Sequence, residues 1–174
     1  MNAAVHDDAT YVDWLKVLFF LLTKVRREGL MSIECAVEQP ENAHSIFTQY
    51  PSTLEQPYLE FATSVMRMMV AGNLDPKDMQ RYADLALAGY AEVGEMNMHL
   101  LRTIWTTLWA SMSGYHPNLA IEFGRQAIPV RCKPTFDELE SIIKQAKSAQ
   151  SEKQEQQESL DQAIDRFMAS MNGR

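Results

Sequence analysis

The chain has 174 residues, of which 46% are hydrophobic and 22% charged, with a formal net charge of −7 and only 7 Gly and 7 Pro. A chain of this length buries roughly 70% of its unfolded surface, enough for one self-supporting core. The composition excludes wholesale disorder, collagen-like repeats and a disulfide scaffold. The acidic balance argues against nucleic acid as a partner, because phosphate binding calls for a basic face.

Helical periodicity runs along the whole chain, so the expected fold class is all-α. Tyr11, Trp14, Leu15, Leu18, Phe19, Leu22 and Val25 recur at the i, i+3, i+4 spacing of one helix face. Thr10 with Asp13 reads as the capping pair of that helix, and Gly29 as its stop. Two short helices follow, about Ser32–Glu38 and Glu41–Gln49, each ending ahead of a proline. A third long helix runs from about Pro57 to Ala71 and closes at Gly72. Asp75 then caps the next start, with Pro76 at the first helical position and Asp78 at the third.

No proline appears between Pro76 and Pro117. The pattern therefore permits either one helix of roughly 55 Å from Pro76 to Ser113 or a hairpin bent near Gly89–Gly94. A helix from Pro117 to about Ile128 comes next, then an extended 129–134 segment. Thr135-x-x-Glu138 is a capping box, opening a helix with Phe136, Leu139, Ile142 and Ile143 on one side. The chain divides into a helical domain over 1–146, a stretch at 147–158 that is either a polar linker or a helix extension, and an amphipathic C-terminal helix at 159–174. Leu160, Ala163, Ile164, Phe167, Met168 and Met171 form the apolar stripe of that last helix.

No catalytic constellation is present. His6, His44, His99 and His116 make no i, i+3 or i, i+4 pair for a metal, and no phosphate loop, nucleophile elbow or HExxH motif occurs. The expectation is no enzyme, no metal and no cofactor. Cys35 and Cys132 lack any CxxC context and read as a reduced pair of small buried residues. The most apolar run, Val17 to Leu22, lies between Lys16 and Lys24 and falls short of the roughly 20 residues a membrane span needs. With no basic leader, a soluble cytoplasmic protein is expected. Met66, Met68 and Met69, and Met96, Met98 and Met112, have the helical spacing of core methionines.

Two surfaces remain for an interaction protein. Lys24, Arg26, Arg27, Glu28, Glu34, Glu38 and Glu41 flank Gly29. Mixed charges at such a helix end either give register and on-rate to a partner or are simply solvated. The C-terminal helix either docks on its own domain, seeds an oligomer or lies in a partner's groove.

Lys24-Val25-Arg26-Arg27-Glu28-Gly29-Leu30-Met31-Ser32-Ile33-Glu34, followed by Phe47-x-x-Tyr50-Pro51 and Ala71-Gly72-Asn73-Leu74, resembles one known family. The resemblance is firmest in Gly114-Tyr115-His116-Pro117-Asn118-Leu119-Ala120-Ile121-Glu122-Phe123-Gly124-Arg125, with Pro134-Thr135-Phe136-Asp137-Glu138-Leu139-Glu140 after it. In this order the segments are similar to the cytoplasmic parts of MotA, the proton-channel stator subunit of the bacterial flagellar motor. The family's first pair of membrane helices is replaced by about ten polar residues, and its second pair is missing, so that 91–98 joins the two cytoplasmic halves directly. The resemblance thus implies a protein that does not conduct protons.

In the family, an arginine and a glutamate meet the rotor protein FliG. The Gly29-x-x-Ser32-x-Glu34 pattern places these on Arg26 and Glu34, with Arg27 and Glu38 beside them. Leu85-Ala86-Leu87-Ala88 stands where the family carries an acidic run and is expected to be buried, within the fold or in an oligomer. The implied function is a soluble regulator or adaptor that binds FliG or stator components, as a monomer or small homo-oligomer. The alternative is a helical chaperone or adaptor of a secretion or other envelope apparatus, with Leu160, Ile164, Phe167, Met168 and Met171 carrying the binding.

Overall fold

The computed structural model describes residues 8–72, 75–93 and 98–172, with the side chains of 76, 92–93, 154, 157–158, 160–161, 163 and 165–172 outside the description. Among the described residues there is no strand, and the all-α expectation holds. Seven α-helices are assigned there: α1 (Asp8–Glu28), α2 (Glu34–Glu38), α3 (Tyr58–Ala71), α4 (Pro76–Val93), α5 (Met98–Met112), α6 (Pro117–Ala127) and α7 (Phe136–Asn172). They fall into two units, Met1–Pro134 and Thr135–Arg174.

The first unit is built on α5, which packs against α1, α3, α4 and α6. Leu100, Leu101, Ile104 and Leu108 of α5 are fully buried, as are Trp14, Leu15, Val17 and Leu18 of α1 and Ala62, Val65 and Met66 of α3. Each large side chain of this kind stabilises the fold by about 1.5–3 kcal/mol relative to exposure. The edge of Trp14 meets Phe47 at 6.1 Å, which holds the 40–54 loop region on α1. Of the methionines expected in the core, Met66 and Met69 are buried, Met68, Met98 and Met112 are half-buried, and Met96 lies outside the described residues.

α1, α5 and α6 meet at Gly124, which explains a glycine in mid-helix. A Cβ there would lie 3.0 Å from Leu15 Cδ2 and 3.2 Å from the Thr103 carbonyl oxygen, and would strike Thr107 Oγ1. Thr107 has no easy retreat, since it is buried and its hydroxyl donates to the Thr103 carbonyl at 2.8 Å. One residue on, the buried Arg125 donates to both carboxylate oxygens of Glu122 at 2.6 Å and to the Pro134 carbonyl at 2.8 Å. This fork ties α6 to the end of the segment that follows it. The Arg125 hydrogen bonds hold the Glu122 carboxyl below the usual carboxylate range, although partial burial opposes them.

Several local expectations are met by specific bonds. Asp75 Oδ1 accepts from the Lys77 amide at 2.7 Å, capping α4. Thr135 and Glu138 form the reciprocal capping box of α7, through the Thr135 amide to Glu138 Oε2 at 2.7 Å and the Glu138 amide to Thr135 Oγ1 at 3.3 Å. Gly29, Gly72 and Gly114 close their helices with φ of 88°, 71° and 88°. Helical backbone continues through 148–158 within α7.

Other expectations are corrected. Thr10 lies inside α1 and does not cap it, while Asp13 pairs with Lys16 at 3.1 Å and accepts from Ser52 Oγ at 2.8 Å. The 41–49 stretch is a series of turns with one 3-10 turn at Phe47–Gln49. Val130–Cys132 is a 3-10 turn within the segment expected to be extended. Of the two alternatives for the 76–113 stretch, the structure has two helices that pack on each other and not one long helix, with Gly89 inside α4 and Gly94 outside the described residues. Of the two alternatives for the Leu85–Ala88 stretch, burial within the fold fails at Leu85, which is 67% exposed, because α4 turns Met79 and Ala83 inward and a residue two positions from Ala83 falls on the opposite face. Cys35 is exposed for the same reason, lying between the buried Ile33 and Val37, and Cys132 is half-buried.

Gly124→Ala is expected to destabilise the protein by about 1–3 kcal/mol through overpacking, despite the roughly 1 kcal/mol that alanine gains in helix propensity. Urea denaturation of the variant measures this directly.

Candidate functional site

Burial along α1 stops at Leu22, but the helix continues to Glu28. Its last turn therefore overhangs the core and presents Lys24, Arg26, Arg27 and Glu28 to solvent. Arg26 and Arg27 suit this position, since cations are favoured near the negative end of a helix. Gly29 reverses the chain, with its amide bonded to the Val25 carbonyl at 2.8 Å. Ser32 Oγ donates to the Gly29 carbonyl at 2.6 Å and fixes the 3-10 turn Leu30–Ile33.

Ile33 and Val37 are the anchors of the next stretch, 0% and 1% exposed. With those two turned inward, Glu34 and Glu38 stand on the outer side of α2, one helical turn apart. Arg26, Arg27 and Glu34 are exposed, and none makes a side-chain hydrogen bond or ion pair with the described residues. Leu30 and Met31, 38% and 61% exposed, add apolar surface between the two charged groups.

Glu38 behaves differently. Its Oε1 accepts from Arg67 Nε of α3 at 3.1 Å, and Arg67 Nη2 lies 3.5 Å from the Val37 carbonyl. An open groove of about 190 Å3 runs between α2 and α3, lined by Glu34, Val37, Glu38, Arg67, Val70 and Ala71. The structure thus brings Glu34 and Glu38 to one groove, while Arg26 and Arg27 stand on the α1 overhang outside its lining. Arg67 was missed at the level of sequence. The available signal was its place as the one basic residue of the otherwise mainly apolar α3.

On α7, Ile164 is 50% exposed. The side chains of Leu160, Phe167, Met168 and Met171 lie outside the described residues. No group of three or more His, Cys, Asp or Glu residues poised for a metal occurs among the described residues. None of their helices is long and apolar enough to cross a membrane.

These features define an all-helical protein with a displayed charged turn and an adjoining groove. No protein-family profile matches the chain, and no solved structure matches it. It is similar to motility protein A of Escherichia coli (strain K12), at 22% identity over 218 residues that cover 83% of this chain and 74% of that protein. It is likewise similar to motility protein A of Salmonella typhimurium (strain LT2), at 22% identity over 208 residues, 77% of this chain and 70% of that protein. The similarity spans most of the chain and supports a MotA-like relationship and a motor-related role.

The Glu38–Arg67 pair is about half exposed on both sides, so it contributes at most about 1 kcal/mol. Arg67→Met is accordingly expected to shift stability by less than about 1 kcal/mol in thermal or urea unfolding. A larger loss would mean that the pair holds α2 on α3.

Proposed function

We propose that this chain is a MotA-related binding protein that engages a component of the flagellar motor through Arg26 and Glu34. It acts as a regulator or adaptor, by binding and not by catalysis or ion conduction. The observation that carries the reading is the display of Arg26 and Glu34, exposed and unpaired among the described residues, on either side of the Gly29 reversal. Exposed charges of both signs at a fixed spacing give a complementary partner register and on-rate.

The alignment itself supports the absence of conduction. Of 174 residues, 83% is about 144, set against 218 aligned residues, so about 74 aligned positions of the Escherichia coli protein face no residue here. The Salmonella comparison leaves the same shortfall, since 77% of 174 is about 134 against 208. Gathered in one place, that many positions would accommodate two membrane spans of about 20 residues with their connection. The α4–α5 hairpin is where such a pair would be missing, with Val93 and Met98 the nearest described residues.

A second reading rests on Ile164. Its exposure leaves an apolar position of α7 available to a partner, as expected of a helical chaperone or adaptor of an envelope apparatus that binds through Leu160–Met171.

Calorimetry against the C-terminal domain of FliG, at low and at moderate salt, tests the main reading. Binding is expected to weaken as salt rises, and Arg26→Glu or Glu34→Lys is expected to raise Kd about tenfold or more, equivalent to about 1.4 kcal/mol. Unchanged affinity in both variants would remove the charged turn from the interaction.

A further inference from the structure

Single exposed apolar side chains are ordinary on a folded surface, whereas several in contact mark a place where something docks. Tyr115, Leu119 and Phe123 are 46%, 51% and 43% exposed. The rings of Tyr115 and Phe123 lie 5.0 Å apart. Leu119 stands one helical turn before Phe123 on the same face of α6. The opposite face, with Ala120, Ile121 and Gly124, is the one buried in the fold.

This outer face offers a partner no free charge. Glu122 and Arg125 are the charged residues of α6, and Arg125 bonds both carboxylate oxygens of Glu122 at 2.6 Å. Lys133, beyond the helix end, donates to the Gln126 carbonyl at 2.9 Å. Asn118 and Gln126, both exposed and uncharged, lie toward the two ends of the face. A charged surface docked here would lose its hydration with nothing to replace it, so the occupant is apolar where it touches.

A second copy of this chain meets that condition. Each copy carries a net charge of −7, so two copies approach most readily where their contacting surfaces are uncharged. The face is also self-complementary. Leu119 and Phe123 are four residues apart, and ridges of that spacing on two helices interdigitate at about −50°. Across a two-fold axis level with Ile121, Leu119 of one copy packs on Phe123 of the other, and the reverse, as an isologous contact requires.

We propose that Tyr115, Leu119 and Phe123 form the interface of a homodimer in which two α6 helices pack antiparallel, with the Tyr115 ring buttressing Phe123. Half of three large side chains amounts to roughly 300 Å2 per copy, short of the ~800 Å2 per partner of a standard interface. The dimer is therefore weak, with Kd on the order of 10 μM. This contact is independent of the charged turn between α1 and α2.

Sedimentation equilibrium of the full chain, from well below to well above that Kd and at low and high salt, tests the proposal. The expected result is a reversible monomer–dimer equilibrium that holds or tightens as salt rises, because the contact is apolar and screening relieves the repulsion between two acidic chains. Leu119→Asp and Phe123→Asp, each first shown to melt as wild type does, are expected to raise Kd about tenfold or more. Val130→Asp, at an 87% exposed position outside α6, is expected to leave it unchanged. Folded wild type that stays monomeric at every concentration would overturn the proposal. So would a dimer that persists in both α6 variants, which places the contact elsewhere in the chain, or one that weakens as salt rises, which makes it electrostatic.

Discussion

The surface that matters depends on one constraint, the depth to which α1 is buried. From Thr10 to Leu22 its inward residues sit against the core, and nine of its 21 residues are buried. The remaining turn extends past that core. A helix held this firmly along its first four turns keeps its last one in a fixed direction. Arg26 and Arg27 are therefore displayed by a rigid mount, and the Gly29 reversal sets where Glu34 and Glu38 emerge.

The relative sizes of the forces separate scaffold from surface. Core side chains such as Trp14, Leu101 and Ile104 each contribute about 1.5–3 kcal/mol, whereas exposed ion pairs contribute about 0–1 kcal/mol. The charges around Gly29 therefore do little to stabilise the fold. The buried Arg125 stands apart: its fork to Glu122 and the Pro134 carbonyl binds one element to the next. The same class of residue thus does structural work in α6 and stands unpaired among the described residues in α1, and burial decides which.

Long periodic helices were legible from sequence because their faces repeat many times. α1, α3 and the α6 start at Pro117 lie close to their expected bounds, and the Asp75 and Thr135 caps form the bonds their side chains suggested. Short apolar runs were less legible. Leu85 and Cys35 looked like core because hydrophobicity alone does not say which face an isolated residue occupies. Both lie two positions from a buried neighbour and so point outward. The charged turn was visible as composition. The groove was not, since it needs Arg67 and Val70 of α3 beside Glu34 and Glu38 of α2, about 30 residues away. Only the packing of α2 on α3 brings them together.

The central claim is that the α1–α2 turn and the neighbouring groove form the docking surface of a MotA-related protein. Amide hydrogen exchange of the full chain, free and with the FliG C-terminal domain, reads that surface without any substitution. The account predicts slowed exchange on binding across residues 25–38 and 67–71, with little change in α5. Protection confined to residues 160–171 would contradict it and assign the interaction to the C-terminal part of α7.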